Sequence, residues 1–321
     1  MVKKKILITG GSGYIGSRLS LYLSQKGFHI IPLCNSKIPD NKEWIQSMYL
    51  ILQGDLRDKA TLNKIEAVRP DVIIHLVSLD HNQSGINVQQ TLQVNVQSTW
   101  DLLSLSASIK LEKFIYFSTT QVYGQSSESV VTENTKLQPS NAYGLTHKMS
   151  EDLVDFYKRS KNLDAVSLRL SNSYGEPVFH DANCWSLVVN DLCKMAFENK
   201  IIVLNSDGNA AKDFIHYSDI TDIIYQLLLS KESNSGIYNL SSGNSVTLLE
   251  LAFEVQKIYK ELYGVELNIF IKKNQLVSTL SRTKFKNRIP NVRLMQIVSY
   301  NSMSIQEGIR SLFKYLERNS Y

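Results

Sequence analysis

The sequence predicts an α/β protein in which a doubly wound parallel sheet is joined to a smaller α/β lobe. In the first half of the chain, short apolar runs alternate with helical stretches, which is typical of repeated strand–helix–strand units. Residues 72–74 are apolar continuously rather than alternately, as in strands that helices cover on both faces. With 321 residues and 43% hydrophobic content, the chain allows one large domain or two modest ones.

Five short strands are predicted in the first half. They cover residues 5–9, 28–33, a short apolar run that ends before Gln53, 71–77 and 113–117. A helical pattern at residues 17–26 lies between the first two strands. The turn signals between elements are Gly27, Pro70 and Gly124.

From about residue 171 the pattern changes to longer loops and helices. The helical patterns lie at residues 185–198, 248–263 and 304–318. Residues 219–229 and 236–240 form another helix–strand unit, so the chain crosses between lobes more than once. We therefore expect a first domain over residues 1–170 with a return segment near 214–242, and a second lobe mainly over 171–321.

Composition excludes several classes of protein. The net charge of +5 is spread along the chain and is too weak to indicate nucleic-acid binding. The three cysteines form no Cys-x-x-Cys pair, which predicts no zinc site or other metal centre and indicates a reducing, cytoplasmic location. The first apolar run is too short for a signal peptide, and no run of about 18 apolar residues predicts a membrane span.

A glycine-rich turn follows the first strand. Four glycines lie in the turn after Thr9 and in the first turn of a helix that begins near Tyr14: Gly10, Gly11, Gly13 and Gly16. Glycines here allow backbone N–H groups to approach a pyrophosphate at the helix N-terminus. The turn therefore predicts a dinucleotide cofactor, NAD or NADP.

The end of the second strand bears on which dinucleotide binds. An acidic residue there would bind a ribose 2′-hydroxyl, but the chain has Asn35, Ser36 and Lys37. No carboxylate repels a 2′-phosphate, which favours NADP; the alternative is that these are ordinary turn residues and NAD is held otherwise. After the third strand, Asp55 could accept a hydrogen bond from adenine or cap the next helix.

Hydroxyl and imidazole side chains follow the fifth strand. Thr119 lies at the strand's carboxyl end, and Tyr143 lies in the first turn of the next helix. Tyr143 could donate or accept a proton if a neighbouring cation or the nicotinamide lowered its pKa from about 10. His147 shares the helix face of Tyr143, whereas Lys148 is rotated by roughly 140°. Taken singly, each side chain is better explained as a packing residue; together with the glycine turn, they favour a catalytic site.

These patterns together resemble the extended short-chain dehydrogenase/reductase family, of the NAD-dependent epimerase/dehydratase type, whose members mostly modify nucleotide-activated sugars. The resemblance covers nearly the whole chain. It rests on an ordered set of motifs at residues 9–16, 54–56, 75–78, 95–99, 118–124, 143–146, 168–175, 212–215 and 238–243. It implies a Rossmann fold, a nucleotide-diphosphate sugar as substrate, and a homodimer formed through helices near 89–106 and 143–158.

The resemblance assigns roles to individual residues. Thr119, Tyr143 and His147 match the catalytic positions, with Tyr143 as the general acid or base. The matches to cofactor-binding positions are Gly10, Gly13, Tyr14, Ile15, Gly16, Asn35, Ser36, Lys37, Asp55, Leu56, Leu76, Val77, Ser78, Asn95, Tyr143 and His147. The matches to substrate-binding positions are Thr119, Thr120, Gln121, Asn172, Asn183 and Lys212.

The sequence departs from the family pattern at three places. His147 replaces the usual lysine; it could still bind the nicotinamide ribose and, if protonated, make activity depend on pH near 6 to 7. Lys212 replaces an arginine that grips the diphosphate, so the bidentate fork is lost. Thr120 and Gln121 replace the acidic pair of the 4,6-dehydratases.

Two activities fit this pattern, and two alternatives remain. The pattern favours hydride transfer at C4 of a nucleotide-diphosphate sugar, by a 4-ketoreductase or a 4-epimerase. One alternative is a 4,6-dehydratase. The other is a non-catalytic nucleotide-binding protein, because the Tyr-x-x-x-Lys pair is Tyr-x-x-x-His here.

Overall fold

Seven parallel strands form the central sheet of the computed structural model, which describes residues 3–35, 37–126, 128–230, 234–271, 275–277 and 287–319. The strands of the described chain are β1 (Lys5–Thr9), β2 (His29–Cys34), β3 (Leu52–Gln53), β4 (Val72–His75), β5 (Lys113–Thr119), β6 (Ala165–Leu170), β7 (Asn172–Tyr174), β8 (Ile201–Leu204), β9 (Ala211–His216), β10 (Gly236–Leu240), β11 (Ser245–Thr247), β12 (Asn268–Ile271) and β13 (Gln275–Val277). The central sheet has the order β3-β2-β1-β4-β5-β6-β10.

Helices cover both faces of this sheet. The described α-helices are α1 (Tyr14–Gln25), α2 (Lys42–Ser47), α3 (Lys59–Val68), α4 (His81–Ser84), α5 (Val88–Thr91), α6 (Ser98–Ser108), α7 (Ala142–Lys161), α8 (Val188–Asn199), α9 (Tyr217–Leu229), α10 (Leu248–Tyr263), α11 (Val292–Met295) and α12 (Ile305–Asn319). A π-helical turn, Leu92–Gln97, joins α5 to α6. None of the described helices is long and apolar enough to cross a membrane.

The two faces of the sheet explain its uninterrupted apolar runs. Ile6 and Ile8 of β1 pack into a core that includes side chains of α1 and α9. Leu7 points to the opposite face, into a core that includes side chains of α3, α6 and α7. Ile6, Leu7 and Ile8 are therefore all buried, whichever face of the sheet each one meets. The predicted doubly wound parallel fold is confirmed.

Strand order reverses at β1, since β2 follows on one side and β4 on the other. In sheets of this kind, ligands bind in the crevice outside the carboxyl ends of the strands at such a switch point. The glycine turn after β1 and the loop after β4 therefore border one crevice.

A second lobe has its own core and two small sheets, β7-β9-β11 and β8-β12-β13. Helices α8, α10 and α12 pack together on this core. The chain then returns to the central sheet, where β10 pairs with β6 in parallel. In chain order, β10 lies between β9 and β11, two strands of the small sheet β7-β9-β11.

Several element bounds differ from the sequence prediction at their ends. Helix α1 begins at Tyr14, as the glycine turn predicts, with Gly13 in the extended N-cap conformation, although the helical pattern itself starts only at residue 17. Helix α8 begins at Val188 rather than at residue 185, because the chain first makes a turn in which Leu187 N–H donates to Cys184 C=O. Strand β1 and helix α10 coincide with their predicted bounds.

Candidate active site

The glycine turn brings the start of α1 into contact with the end of β1. Gly13 N–H donates to Gly10 C=O at 2.9 Å, and Gly10 has a φ of +67°, which favours glycine. A Cβ on Gly16 would lie 2.1 Å from the Gly10 oxygen. A side chain at residue 16 cannot fit there, so the first turn of α1 packs directly against the backbone of the glycine turn. This cradle fits a dinucleotide pyrophosphate.

A cleft of about 370 Å³ extends from this turn along the ends of β2, β3 and β4. Several predicted cofactor residues line it: Gly10, Gly13, Asn35, Asp55, Leu56, Leu76, Val77 and Ser78. Lys37 is exposed and does not line it, and Ser36 lies outside the described residues. We call this the adenosine cleft, because it lies where a dinucleotide's adenosine half would follow the pyrophosphate.

An ion pair lies on the floor of the adenosine cleft. Asp55 accepts hydrogen bonds from the backbone N–H of Arg57 at 2.9 Å and from its guanidinium at 2.6 and 3.0 Å. Hydrogen bonding to Arg57 lowers the pKa of Asp55. The alternative role of Asp55 as a helix N-cap is wrong, because α3 begins at Lys59 after the N-cap Asp58. Arg57 also lines the cleft; the sequence reasoning missed it, although its place two residues after Asp55 was the available signal.

A second cleft, of about 400 Å³, begins at the same glycine turn and runs toward α7. Tyr143, His147 and Asn183 line it together with Ser78 and Asp80. We call it the catalytic cleft. Burial raises the pKa of Tyr143, and the nearby hydroxyl groups of Thr119 and Ser78 partly offset that effect. The structure therefore brings together the three residues predicted as catalytic.

The start of α7 is fixed by its cap. Asn141 caps the helix by accepting from Gly144 N–H at 2.8 Å, and its side-chain amide donates to Gln121 at 3.0 Å. A Cβ on Gly144 would lie 2.6 Å from the Gln121 carbonyl oxygen, so the helix start packs closely against the turn after β5. This contact places Tyr143 beside Thr119.

His147 is buried below Tyr143. Its Nδ1 hydrogen-bonds with the Tyr116 hydroxyl at 2.8 Å, whereas its buried Nε2 has no partner among the described residues. Burial lowers the pKa of His147 to about 3, so the imidazole is neutral at ordinary pH. The expectation of a cationic His147 that titrates near pH 6 to 7 is therefore wrong. Lys148 does not replace it, because it pairs with Asp152 on the outer face of α7 at 3.0 Å.

Asn95, predicted to bind cofactor, lies behind the cleft on the π-helical turn. It is buried; its side-chain oxygen accepts from Leu79 N–H at 2.8 Å, and its side-chain nitrogen donates to Thr146 at 2.9 Å. Both ends of the carboxamide therefore hold the loop after β4 against α7.

A buried ion pair lies behind the catalytic cleft and is linked to it through Ser118. Ser118 lines the cleft and donates to Glu151 at 2.5 Å, and Glu151 pairs with Arg169 at 2.8 Å. Arg169 also donates to the Tyr123 hydroxyl at 3.0 Å. The sequence reasoning did not single out Ser118 as a site residue. Its position one residue before Thr119, on the opposite face of β5, was the only signal.

The predicted substrate residues occupy different places. Asn183 reaches the catalytic cleft, whereas Asn172 donates its amide to the Asp213 carbonyl at 2.8 Å. Lys212 lies on β9, opposite Val246 of β11, and lines neither cleft. Thr120 and Gln121 begin the 3₁₀ turn Thr120–Tyr123 after β5.

Tyr14 and Ile15 line the catalytic cleft at the start of α1. The Tyr14 hydroxyl donates to the Gly175 carbonyl at 2.9 Å. Gly175 lies just past β7, in the second lobe. Tyr14 therefore joins the glycine turn to that lobe.

A parallel sheet with a glycine cradle at its switch point, followed by a cleft with a Thr–Tyr hydroxyl pair, defines a dinucleotide-dependent enzyme of the Rossmann type. A family model confirms this class: the "NAD dependent epimerase/dehydratase family" matches residues 6–241. The chain belongs to that family. The resemblance inferred from its motifs is therefore confirmed.

Individual proteins are similar to this chain. A putative UDP-glucose 4-epimerase of Methanocaldococcus jannaschii is 28% identical over 260 residues, which are 78% of this chain and 81% of that protein. A dTDP-D-glucose 4,6-dehydratase of Bos taurus is 28% identical over 269 residues, 80% of this chain and 74% of that protein. The solved UDP-glucose 4-epimerase of Thermotoga maritima superposes with a TM-score of 0.84 at 20% identity, covering 99% of this chain and 100% of that chain.

Proposed function

We propose that this protein transfers hydride at C4 of a nucleotide-diphosphate sugar, as a 4-ketoreductase or a 4-epimerase that uses NAD(P). One observation carries the proposal: Tyr143, whose hydroxyl faces those of Thr119 and Ser78, lies in a cleft that starts at the glycine cradle. The family of the chain and the 4-epimerases among its relatives support the same chemistry.

The residues present fit a dinucleotide. The turn at Gly10, Gly13 and Gly16 would hold its pyrophosphate, and Asp55 would accept from its adenine amino group. The unpartnered Nε2 of His147 is a buried polar atom on the cleft wall, as expected for a group that a ligand satisfies. When bound, the nicotinamide ring supplies or accepts hydride.

Tyr143 and Thr119 supply the proton chemistry. Tyr143 donates a proton to an oxygen at C4 when that oxygen gains charge, or removes it in the opposite direction. The hydroxyl groups of Thr119 and Ser78 favour the ionised form of the phenol, against the effect of its burial. Asn183 lies on the same cleft, and we propose that it binds the diphosphate side of the substrate together with Lys212 and Asn172.

Loss of water is not supported by the residues after β5. Elimination needs an acid and a base, whereas Thr120 is an alcohol and Gln121 an amide. The Gln121 side chain is also engaged by Asn141 at 3.0 Å. The retained Thr119–Tyr143 pair likewise argues against a protein that only binds nucleotide.

The direct test uses purified protein with a panel of UDP- and dTDP-hexoses and their 4-keto-6-deoxy forms, with NAD, NADP or the reduced cofactors. We expect NMR to show a change at C4 alone, and Tyr143→Phe to abolish it while leaving cofactor affinity nearly intact. A product lighter than its substrate by one water, or full activity in Tyr143→Phe, would contradict the proposal.

We also propose that NADP is preferred over NAD. At the ends of β2 and β3 the adenosine cleft offers Asn35 and Arg57, and its carboxylate Asp55 is bonded by Arg57. A 2′-phosphate would therefore meet a guanidinium rather than a free carboxylate. The expected preference is on the order of tenfold, about 1.4 kcal/mol, by calorimetric titration. Arg57→Met should reduce it, Lys37→Met serves as the exposed control, and tighter binding of NAD would contradict it.

A homodimer is proposed through α6 and α7. On α7, Leu145, Met149 and Phe156 are apolar side chains exposed on one face, and Trp100 of α6 stacks on Phe156 at a ring distance of 6.1 Å. Adjoining apolar side chains that are exposed on two neighbouring helices are typical of an interface.

A cytoplasmic location is proposed from the cysteines. Cys34, Cys184 and Cys193 are free thiols and buried, a state that a reducing compartment maintains. Cell fractionation with antibody detection tests this location, and recovery in an extracellular fraction would contradict it.

A further inference from the structure

The catalytic cleft is lined by almost no charged side chains among the described residues. Among the described residues that line it, Asp80 carries the only formal charge, and no lysine or arginine is present. His147 occupies the position beside Tyr143 where a cation was expected, and its only described partner is the neutral Tyr116 hydroxyl. A tyrosine that must ionise needs a nearby positive charge, and the described cleft walls provide none.

The groups around Tyr143 come from three elements. Helix α7 supplies His147, whose ring lies 4.4 Å from the tyrosine ring, and the end of β5 supplies Thr119. The segment after β4 supplies Asp80 and the exposed His81, whose ring lies 6.4 Å away. Asp80 disfavours the phenolate by charge repulsion, and burial acts in the same direction.

We propose that Tyr143 is held as a proton donor, and that the substrate is a nucleotide sugar bearing a ketone that is reduced, rather than a sugar alcohol that must first be oxidised. This rests on the proposed function and selects the ketoreductase over the epimerase. An epimerase begins by removing a proton from a hydroxyl, which requires the phenolate. Reduction of a ketone requires only a proton donor. The neutral phenol of Tyr143 is such a donor, and the surroundings of Tyr143 favour this neutral form.

The proton and electron balance follows from these roles. When bound, the reduced dinucleotide supplies one hydride, the two electrons and hydrogen that the carbonyl carbon gains. The carbon–oxygen π pair moves to oxygen, which takes the Tyr143 proton, so that C=O becomes CH–OH. The tyrosine then regains a proton from water. The substrate must come from a reaction that introduces a ketone into a nucleotide sugar.

The ionisation of Tyr143 tests the proposal without turnover. Phenolate absorbance is titrated in the cofactor-free wild type and in Tyr143→Phe, and the difference reports Tyr143 alone. We expect its phenolate to emerge only above the ordinary tyrosine value of about 10. A Tyr143 phenolate that forms below about pH 8 would overturn the proposal.

Two variants that change the charge near Tyr143 test whether charge controls the ionisation of its phenol. Asp80→Asn removes the carboxylate but keeps the oxygen that caps α4 by accepting from Gln83 N–H at 2.8 Å. His147→Lys introduces the missing cation. We expect each to increase the phenolate fraction at a given pH below the Tyr143 pKa, by about tenfold for His147→Lys, while Lys148→Met leaves it unchanged. Asp80→Asn retains the cap of α4, so an unchanged phenolate fraction in this variant would contradict the charge argument.

The direction of catalysis separates this inference from the proposed function. With the wild type at pH 7, we expect the rate of reduction of a 4-keto sugar to exceed the rate of C4 oxidation of the matching alcohol by at least tenfold. Rapid interconversion of two C4 epimers would overturn the ketone assignment and leave the proposed C4 chemistry intact. The absence of any change at C4 with either substrate would instead contradict the proposed function.

Discussion

His75 shows how a buried imidazole can be satisfied without a charge. Thr99 donates its hydroxyl to Asn95 C=O at 2.7 Å, so its oxygen accepts from His75 Nε2–H at 3.0 Å. Thr9 then donates to Nδ1 at 2.7 Å while it accepts from Leu76 N–H at 3.1 Å. The network fixes one tautomer, and burial lowers the pKa of His75 to about 3.

Stability should therefore depend on the protonation of His75 and His147. Both have a folded pKa of about 3, below the unfolded value of about 6.5. Above pH 6.5 both histidines are neutral in the folded and in the unfolded chain. Below pH 6.5 they become protonated in the unfolded chain but stay neutral in the folded one, which favours unfolding. The free energy of unfolding should fall by up to about 1.4 kcal/mol per pH unit for each histidine between pH 6.5 and 3.

Urea unfolding at pH 5, 6 and 7 measures this slope. His147→Gln should lose its share of the slope, and the exposed His81→Gln should keep the full slope. Equal slopes in the wild type and His147→Gln would contradict a neutral buried His147.

Gly16 gives a second prediction at the scale of single residues. Gly16→Ala would put a Cβ 2.1 Å from a backbone oxygen, which cannot move aside as a side chain would. We expect Gly16→Ala to weaken dinucleotide affinity at least tenfold by displacing the glycine turn, as calorimetric titration would measure. Gly85→Ala, where a Cβ meets nothing within 4 Å, is the matched control. Unchanged affinity in Gly16→Ala would contradict the close-contact argument.

The sequence predicted those site residues whose place follows from the sheet alone. Thr119 lies at the carboxyl end of β5, and Tyr143 lies in the first turn of the helix that follows. Both therefore lie at the edge of the parallel sheet where ligands bind. The place of Asp80 in the cleft and the burial of His147 were not predictable. They depend on how loops and a neighbouring strand close around the site, and no local pattern encodes that closure.

At the scale of elements, one ion pair joins two strands and a helix. Ser118 of β5, Glu151 of α7 and Arg169 of β6 form one hydrogen-bonded group, and the Glu151 and Arg169 side chains are only 2% and 3% exposed. A buried pair of this kind contributes little relative to apolar packing, but losing one partner leaves the other charge uncompensated.

Glu151→Gln should therefore be strongly destabilising. It leaves Arg169 buried without a countercharge, and we expect the free energy of unfolding to fall by about 3–5 kcal/mol in urea titrations. Asp152→Asn breaks the exposed pair with Lys148 on the same helix and should cost no more than about 0.5 kcal/mol. Similar costs for the two variants would show that burial of the pair is not the cause.

Element bounds were predictable where local chemistry marks them. Helix α10 starts at a capping box in which Thr247 and Glu250 satisfy each other's backbone N–H groups, and its predicted bounds were confirmed. Helix α1 starts after a glycine without a side-chain cap, and its start at Tyr14 was predicted from the glycine turn that precedes it.

At the scale of the whole molecule, the two lobes meet at α1. Arg18 donates to the carbonyls of Glu176 and Pro177 at 2.7 and 2.9 Å, and its guanidinium lies over the Tyr217 ring. The sequence predicted that the chain returns to the sheet, because helix and strand patterns recur there. It could not predict this contact, since Arg18 looks like any exposed helix residue until the second lobe covers it.

The proposed dimer gives the prediction for the whole molecule. If a second copy covers the apolar face of α7, then Phe156→Lys places two charges in the interface, one from each copy. Each lost apolar contact costs about 2 kcal/mol, so the dissociation constant should rise roughly 1000-fold. Light scattering should report twice 36.5 kDa for the wild type and 36.5 kDa for the variant. Leu229→Lys, at a 56% exposed apolar side chain on α9, should remain dimeric; a monomeric wild type at micromolar concentration would contradict the dimer.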